Sequence, residues 1–98
     1  MSDLKVTWDP RKAKVNARKH GVAFDEAATV FLDDNALLIA DPDHSTDEDR
    51  FILLGLSSQL RLLVVCHCLR ESDSVVRIIS ARKANKPEQR EYRKRIRL

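Results

Sequence analysis

Three apolar runs with very short connections constrain this chain more than any other feature: Arg50 to Leu56, Leu60 to Leu69, and Val75 to Ala81. Each is rich in Val, Ile and Leu and has the length of a strand rather than a helix. The links between them, Ser57-Ser58-Gln59 and Arg70 to Ser74, are too short for a crossover connection. The runs are therefore expected to fold back on one another as an antiparallel meander.

The flanking segments supply helices. Leu4-Lys5-Val6-Thr7-Trp8 alternates like a short strand, and Asp9-Pro10 supplies an N-cap followed by a proline suited to a first helical position. With Gly21 as the stop, the first helix is predicted over Pro10 to His20, and Lys12, Asn16, Lys19 and His20 share one side of it. Phe24, Ala27, Ala28 and Phe31 recur at the spacing of a helix laid on a core. Asp33-Asp34-Asn35 ends that helix, Ala36 to Ala40 reads as a strand, and Asp41-Pro42-Asp43-His44-Ser45 has turn chemistry. Lys86-Pro87-Glu88 opens a final helix whose apolar stripe, Tyr92 and Ile96, is thin; it covers little core, or another chain covers it. The predicted order is β-α-α-β-β-β-β-α. That is an α+β fold with one antiparallel sheet of about four main strands and the helices to one side. Without repeats or linkers, residues 1–98 read as a single domain.

Charge is distributed unevenly. Lys5 to His20 carries six Lys/Arg against one Asp, and Arg82 to Leu98 carries eight against two Glu. Gly21 to Ala81 holds four Arg against eleven Asp/Glu. Basic ends around an acidic middle suit a chain that meets phosphate on one surface, or one that binds an acidic partner. No apolar run approaches the roughly 20 residues of a membrane span, and the start MSDLKVTWD lacks the layout of a signal peptide, so a cytoplasmic protein is expected. Cys66 and Cys68 sit two apart in a strand, a spacing poor for a disulfide and too sparse for zinc; they read as buried free thiols.

The candidate chemistry is cationic. Arg77 interrupts an apolar strand in which residues 75, 77, 79 and 81 are expected to face one way, and Arg82 and Lys83 follow the strand's end. Arg50 and Arg61 lie at strand starts, and a meander can bring such cations to one concave surface. Each taken singly is equally read as half of a surface ion pair. Arginine offers a planar fork that matches phosphate. Histidine exchanges protons near neutrality. His20 ends a helix, His44 lies in an acidic loop, and His67 lies mid-strand, where it also reads as a packed core side chain. As a calcium loop the segment from Asp41 fails, with Thr46 where glycine is needed and Ile52 where a bidentate Glu is needed. No metal or other cofactor is expected. Cations and imidazoles without a metal suit cleavage of RNA, in which the substrate's own 2′-hydroxyl is the nucleophile and the protein neutralises charge and moves protons. The same cations suit a non-catalytic module that binds RNA or a partner within a repressor complex.

Three stretches together resemble a known family. "VTWDPRKAKVNARKHGVAFDEAATVFLDD" is similar to the opening of the BrnT toxins, with its Trp-Asp, its Asn-x-x-Lys-His-Gly and its Phe-x-x-Ala helix. "DPDHSTDEDRFILLGLS" is similar to their His loop and Gly-containing strand. "RLLVVCHCLRESDSVVRIISARKANKPEQREY" is similar to their Arg-led strand, R-I-I-S-A-R-K-A segment and final helix. The resemblance implies a RelE-like fold and a ribonuclease that arrests translation. It also implies a BrnA-like ribbon-helix-helix antitoxin as partner, and operator DNA bound through the complex of the two. The polar residues carried over are Lys19, His20, His44, Arg50, Arg61, Arg77, Ser80, Arg82 and Tyr92. Lys19, His20, Arg61, His67, Arg77 and Arg82 are the catalytic candidates; Lys12, His44, Arg50, Ser80, Lys83 and Tyr92 are the RNA-binding ones. Position 67 takes an aromatic or His in the family, so His67 is carried over less directly than Arg77 or Arg82. The Cys-His-Cys triplet departs from the family pattern and leaves the cysteines without a role.

Overall fold

The computed structural model describes residues 4–41, 50–70 and 74–96. Its elements are β1 (Lys5–Trp8), α1 (Pro10–His20), α2 (Phe24–Thr29) running into a 3-10 turn (Val30–Leu32), β2 (Leu37–Ala40), β3 (Arg50–Leu56), β4 (Leu62–Arg70), β5 (Val75–Lys83) and α3 (Lys86–Arg95). The predicted order of helices and strands is the observed one, and the α+β class holds.

Two features of the sheet depart from the sequence reading. The meander β2 to β5 is antiparallel throughout, but β1 pairs parallel with β5, so the strand order is β1-β5-β4-β3-β2 and the sheet is mixed. Short loops fix the direction of neighbours in sequence; they say nothing about a strand that pairs across the whole chain. The second departure is a β-bulge. Cys66 pairs with Ser80 but His67 pairs with Ile78, which leaves Ile79 as an extra residue in β5. The simple alternation of residues 75, 77, 79 and 81 therefore fails, and Val76, Ile78 and Ala81 become the buried set.

Helices cover both faces of the sheet rather than one. Leu53, Leu63, Val65, Val76, Ile78 and Ala81 form a core with Val22, Phe24, Ala27 and Val30, against which Ala13 of α1 packs. The alternate residues Leu54 and Val64 point the other way and pack with Ala84 and Tyr92, under α3. Full burial of side chains such as Phe24, Leu63 and Ile78 contributes about 1.5–3 kcal/mol each.

Local chemistry explains the helix ends. Asp9 Oδ1 accepts from the Arg11 N–H at 2.8 Å, Pro10 needs no donor partner, and Gly21 closes α1 at φ 68°, its N–H reaching the Ala17 carbonyl. Asn85 and Glu88 form a reciprocal capping box at α3, each side chain accepting from the other's backbone N–H at 2.8–2.9 Å.

Candidate functional site

α1 lies along β5 at the point where β1 runs out. Trp8 opposite Ile78 is the last β1–β5 pair, so β5 continues past it with an open edge. Asn16, 6% exposed, fills part of that edge. Its Nδ2 donates to the Ala81 carbonyl at 2.8 Å and to the Val22 carbonyl at 3.0 Å, while its Oδ1 accepts from the Ala81 N–H at 3.1 Å. The side-chain amide thus serves Ala81 as a neighbouring strand would, and ties the helix to the sheet.

Above this tie runs a groove of about 320 Å³, lined by Arg11, Lys12, Val15, Asn16, Lys19 and His20 of α1 and by Ile79 and Ser80 of β5. Lys12, Lys19 and His20 were expected to share a helix face, and Ser80 borders the groove with them, though its pairing with Cys66 puts its side chain on the face of Val64 and Arg82. Arg11, Lys12 and Lys19 are exposed, whereas His20 and Ser80 are half-buried. A row of cations beside an imidazole is a layout suited to a site that meets a phosphodiester. Arg11, Val15 and Ile79 were not picked out from the sequence. Arg11 and Val15 were within reach, since both lie on the side of the helix already marked by Lys12 and Lys19; Ile79 was not, because the bulge decides where it points.

Arg61 stands beside the end of α1, committed to a carboxylate. Its Nε donates to Glu26 Oε2 at 2.9 Å, and an Nη2 contact to Glu26 Oε1 completes a two-pronged pair. Nη2 also reaches the carbonyl of Gly21, next to His20, at 3.2 Å. Glu26 is 4% exposed and takes a third bond from Ser57 Oγ at 2.6 Å. The Arg61 bond holds its carboxyl below the usual range against the opposing effect of burial, with Ser57 and the nearby Lys83 assisting. Glu26 was absent from the sequence reading, because nothing local marks which carboxylate an arginine will meet.

The remaining candidates do not gather in this groove. Arg82 turns to the opposite face, where its two terminal nitrogens each donate to Glu88 at 2.8 Å and so fasten the first turn of α3 to the sheet. Arg77 is half-buried on the same face, opposite Cys68, and Arg50 lies one strand further along, on Cys68's other side. Arg50, Arg77 and Arg82 share the Val64 face, the bulge returning Arg82 to the side of Arg77, whereas Arg61 stands apart with Glu26; the four do not form the single surface expected.

Two candidates are packing residues. Tyr92, expected at an RNA surface, is 4% exposed and donates its hydroxyl to Asp33 Oδ2 at 2.7 Å. Burial, aided by Asp33, pushes the phenol up to about 12. His67 is 2% exposed, with Phe31 edge-on at 4.9 Å and Phe51 stacked at 6.1 Å, and its Nδ1 lies 3.2 Å from the Val65 carbonyl. Burial lowers its basicity. Such an imidazole is packed in the core, bordering a separate cavity with Phe31 and Leu69 rather than the α1–β5 groove. His44 lies outside the described residues.

Cys66 and Cys68 are free thiols, the first half-buried and the second buried, and burial pushes the Cys66 thiol up, away from the reactive thiolate. Among the described residues there is no cluster of three metal-ligating side chains, and no helix is long and apolar enough to cross a membrane.

Comparison with known proteins follows the same lines. A search of curated proteins gives no match. The crystal structure of the Brucella abortus ribonuclease toxin, BrnT, superposes with a TM-score of 0.64, covering 85% of this chain and 99% of that one at 24% identity. At that identity the likeness carries the fold. The family profile described as "Ribonuclease toxin, BrnT, of type II toxin-antitoxin system" matches residues 8–88, from the end of β1 into the first turn of α3. The chain therefore belongs to the BrnT family, the ribonuclease toxins of type II toxin–antitoxin systems.

Proposed function

We propose that the groove between α1 and β5 binds RNA and cleaves it without a metal. The observation that carries this reading is that Lys12, Lys19, His20 and Ser80, from segments some sixty residues apart, line one groove. In the proposed step Arg11, Lys12 and Lys19 hold the phosphodiester and neutralise the charge that grows on it as the 2′-oxygen attacks phosphorus. His20 takes the 2′-hydroxyl proton, and the bond to the 5′-oxygen breaks as that oxygen takes a proton from solvent in the open groove. The products are a 2′,3′-cyclic phosphate and a 5′-hydroxyl. DNA lacks the attacking hydroxyl and is spared. Arg61 supports the site indirectly by bracing Gly21 and α2, and Arg82 by holding α3.

The partner in this reading is a BrnA-like antitoxin of the ribbon-helix-helix type, and the pair binds operator DNA through the antitoxin. Lys86, Arg90 and Arg93, at helical steps of four and three along α3, give an acidic antitoxin segment a row of exposed cations. The test is to incubate purified protein with long RNA in excess EDTA, with and without ribosomes, beside His20→Ala and Lys19→Ala. Cleavage by wild type that leaves cyclic ends, and its loss in the variants at unchanged thermal stability, is the expected result. Intact RNA that remains bound would overturn catalysis in favour of a binding module.

A further inference from the structure

Two apolar side chains stand in the groove among its cations. Val15 is 60% exposed and belongs to neither core cluster, yet Arg11 and Lys19 lie one turn to either side of it. Across the groove is Ile79, the extra residue of the β5 bulge. The bulge leaves it without a partner in β4, and it lines the groove beside α1. An isolated exposed valine calls for no explanation. A second apolar side chain, brought to the same groove by a break in the strand, does. Bulges recur beside active sites because they re-aim a single side chain.

A phosphate needs no apolar contact, but a nucleobase does: its faces are apolar, and in a duplex they are hidden in the stack. The volume of about 320 Å³ lies at the small end of the roughly 300–1,000 Å³ range of ligand pockets, which suits one nucleotide rather than a stacked pair. We propose that Val15 and Ile79 form an apolar shelf that takes one unpaired base, so that the groove selects single-stranded RNA. This rests on the reading of the groove as the RNA site, and it adds base contact as a source of selectivity distinct from charge.

The shelf is tested by binding, with cleavage scored separately. The probes are a short labelled single-stranded RNA, the same RNA annealed to its complement, and an abasic ribose-phosphate strand of equal length. Wild type is expected to bind the single strand about tenfold more tightly than the duplex or the abasic strand, the order of burying one aliphatic side chain against a base. Val15→Ser, and Val15→Ser with Ile79→Ser, are expected to lose that preference while keeping the abasic affinity and its dependence on salt. Lys12→Ala is expected to weaken all three probes and flatten the salt dependence, since it removes a phosphate contact. Equal wild-type affinity for abasic and intact strands, or an undiminished preference in Val15→Ser, overturns the shelf. A base preference without cleavage keeps the shelf and removes the ribonuclease step; cleavage without a base preference does the reverse.

Discussion

At Glu26 one carboxylate organises three segments: it receives Arg61 from the start of β4 and Ser57 from the β3–β4 turn, and it sits on α2. Its acidity is raised by the Arg61 bond, so its contribution to stability is complete above the ordinary carboxyl value of 4.5 and is lost as the pH falls through the lower folded-state value. Glu26→Gln should therefore unfold at lower urea than wild type at neutral pH, with the gap narrowing once the pH falls below 4.5 and the carboxyl takes up its proton. Equal gaps in both ranges would remove the ion pair as the cause. Asp33 poses a related case. Burial works against its charge, but the Leu56 N–H, the Tyr92 hydroxyl and the Asn35 N–H together leave its carboxyl below the usual range. Tyr92→Phe removes one of these donors and should destabilise the fold by about 1–2 kcal/mol in denaturant titration, with RNA binding unchanged. The sequence marked Arg61 and Tyr92 as unusual but not what they meet, because partners 35 and 59 residues away are fixed only by the fold.

Elements differ in how local their instructions are. α1 begins and ends where expected because Asp9, Pro10 and Gly21 act within a few residues of the backbone they cap. Gly21→Ala puts a side chain at φ 68° and should cost about 1–2 kcal/mol, although its Cβ would meet nothing within 4 Å. Gly55 has the opposite problem. A Cβ there would stand 2.8 Å from Val30 Cγ1 and 2.9 Å from Ala36 Cβ, so Gly55→Ala should force β3 away from the 3-10 turn, at about 1–3 kcal/mol. Thermal melts of the two variants separate backbone strain from overpacking, because Gly21→Asn should recover part of the loss and Gly55→Ser none. The bulge at Ile79 and the parallel β1–β5 pair were not legible, since both depend on how distant strands come into register. Part of the groove was legible for the converse reason: Lys12, Lys19 and His20 share a face by helical geometry alone.

Across the whole molecule, the two basic ends of the chain lie on opposite faces of one sheet, α1 over the Val65 side and α3 over the Val64 side. One polyanion on one surface does not meet both. Replacing Lys86, Arg90 and Arg93 together with Glu should change RNA affinity by less than about threefold, because charges on the far face are largely screened, while Lys12→Glu with Lys19→Glu abolishes it. Comparable losses in both sets would place RNA across the two helices. The joining of α1 to β5 also has a consequence in time. Asn16 leaves the ribosome 65 residues ahead of Ala81, its partner, an interval of about 3–13 s at ordinary rates of synthesis. Until β5 arrives the helix has no opposite wall, and a chain abandoned before that point never acquires one. On the proposed reading of the groove, chains that stop before β5 should therefore be inert from birth.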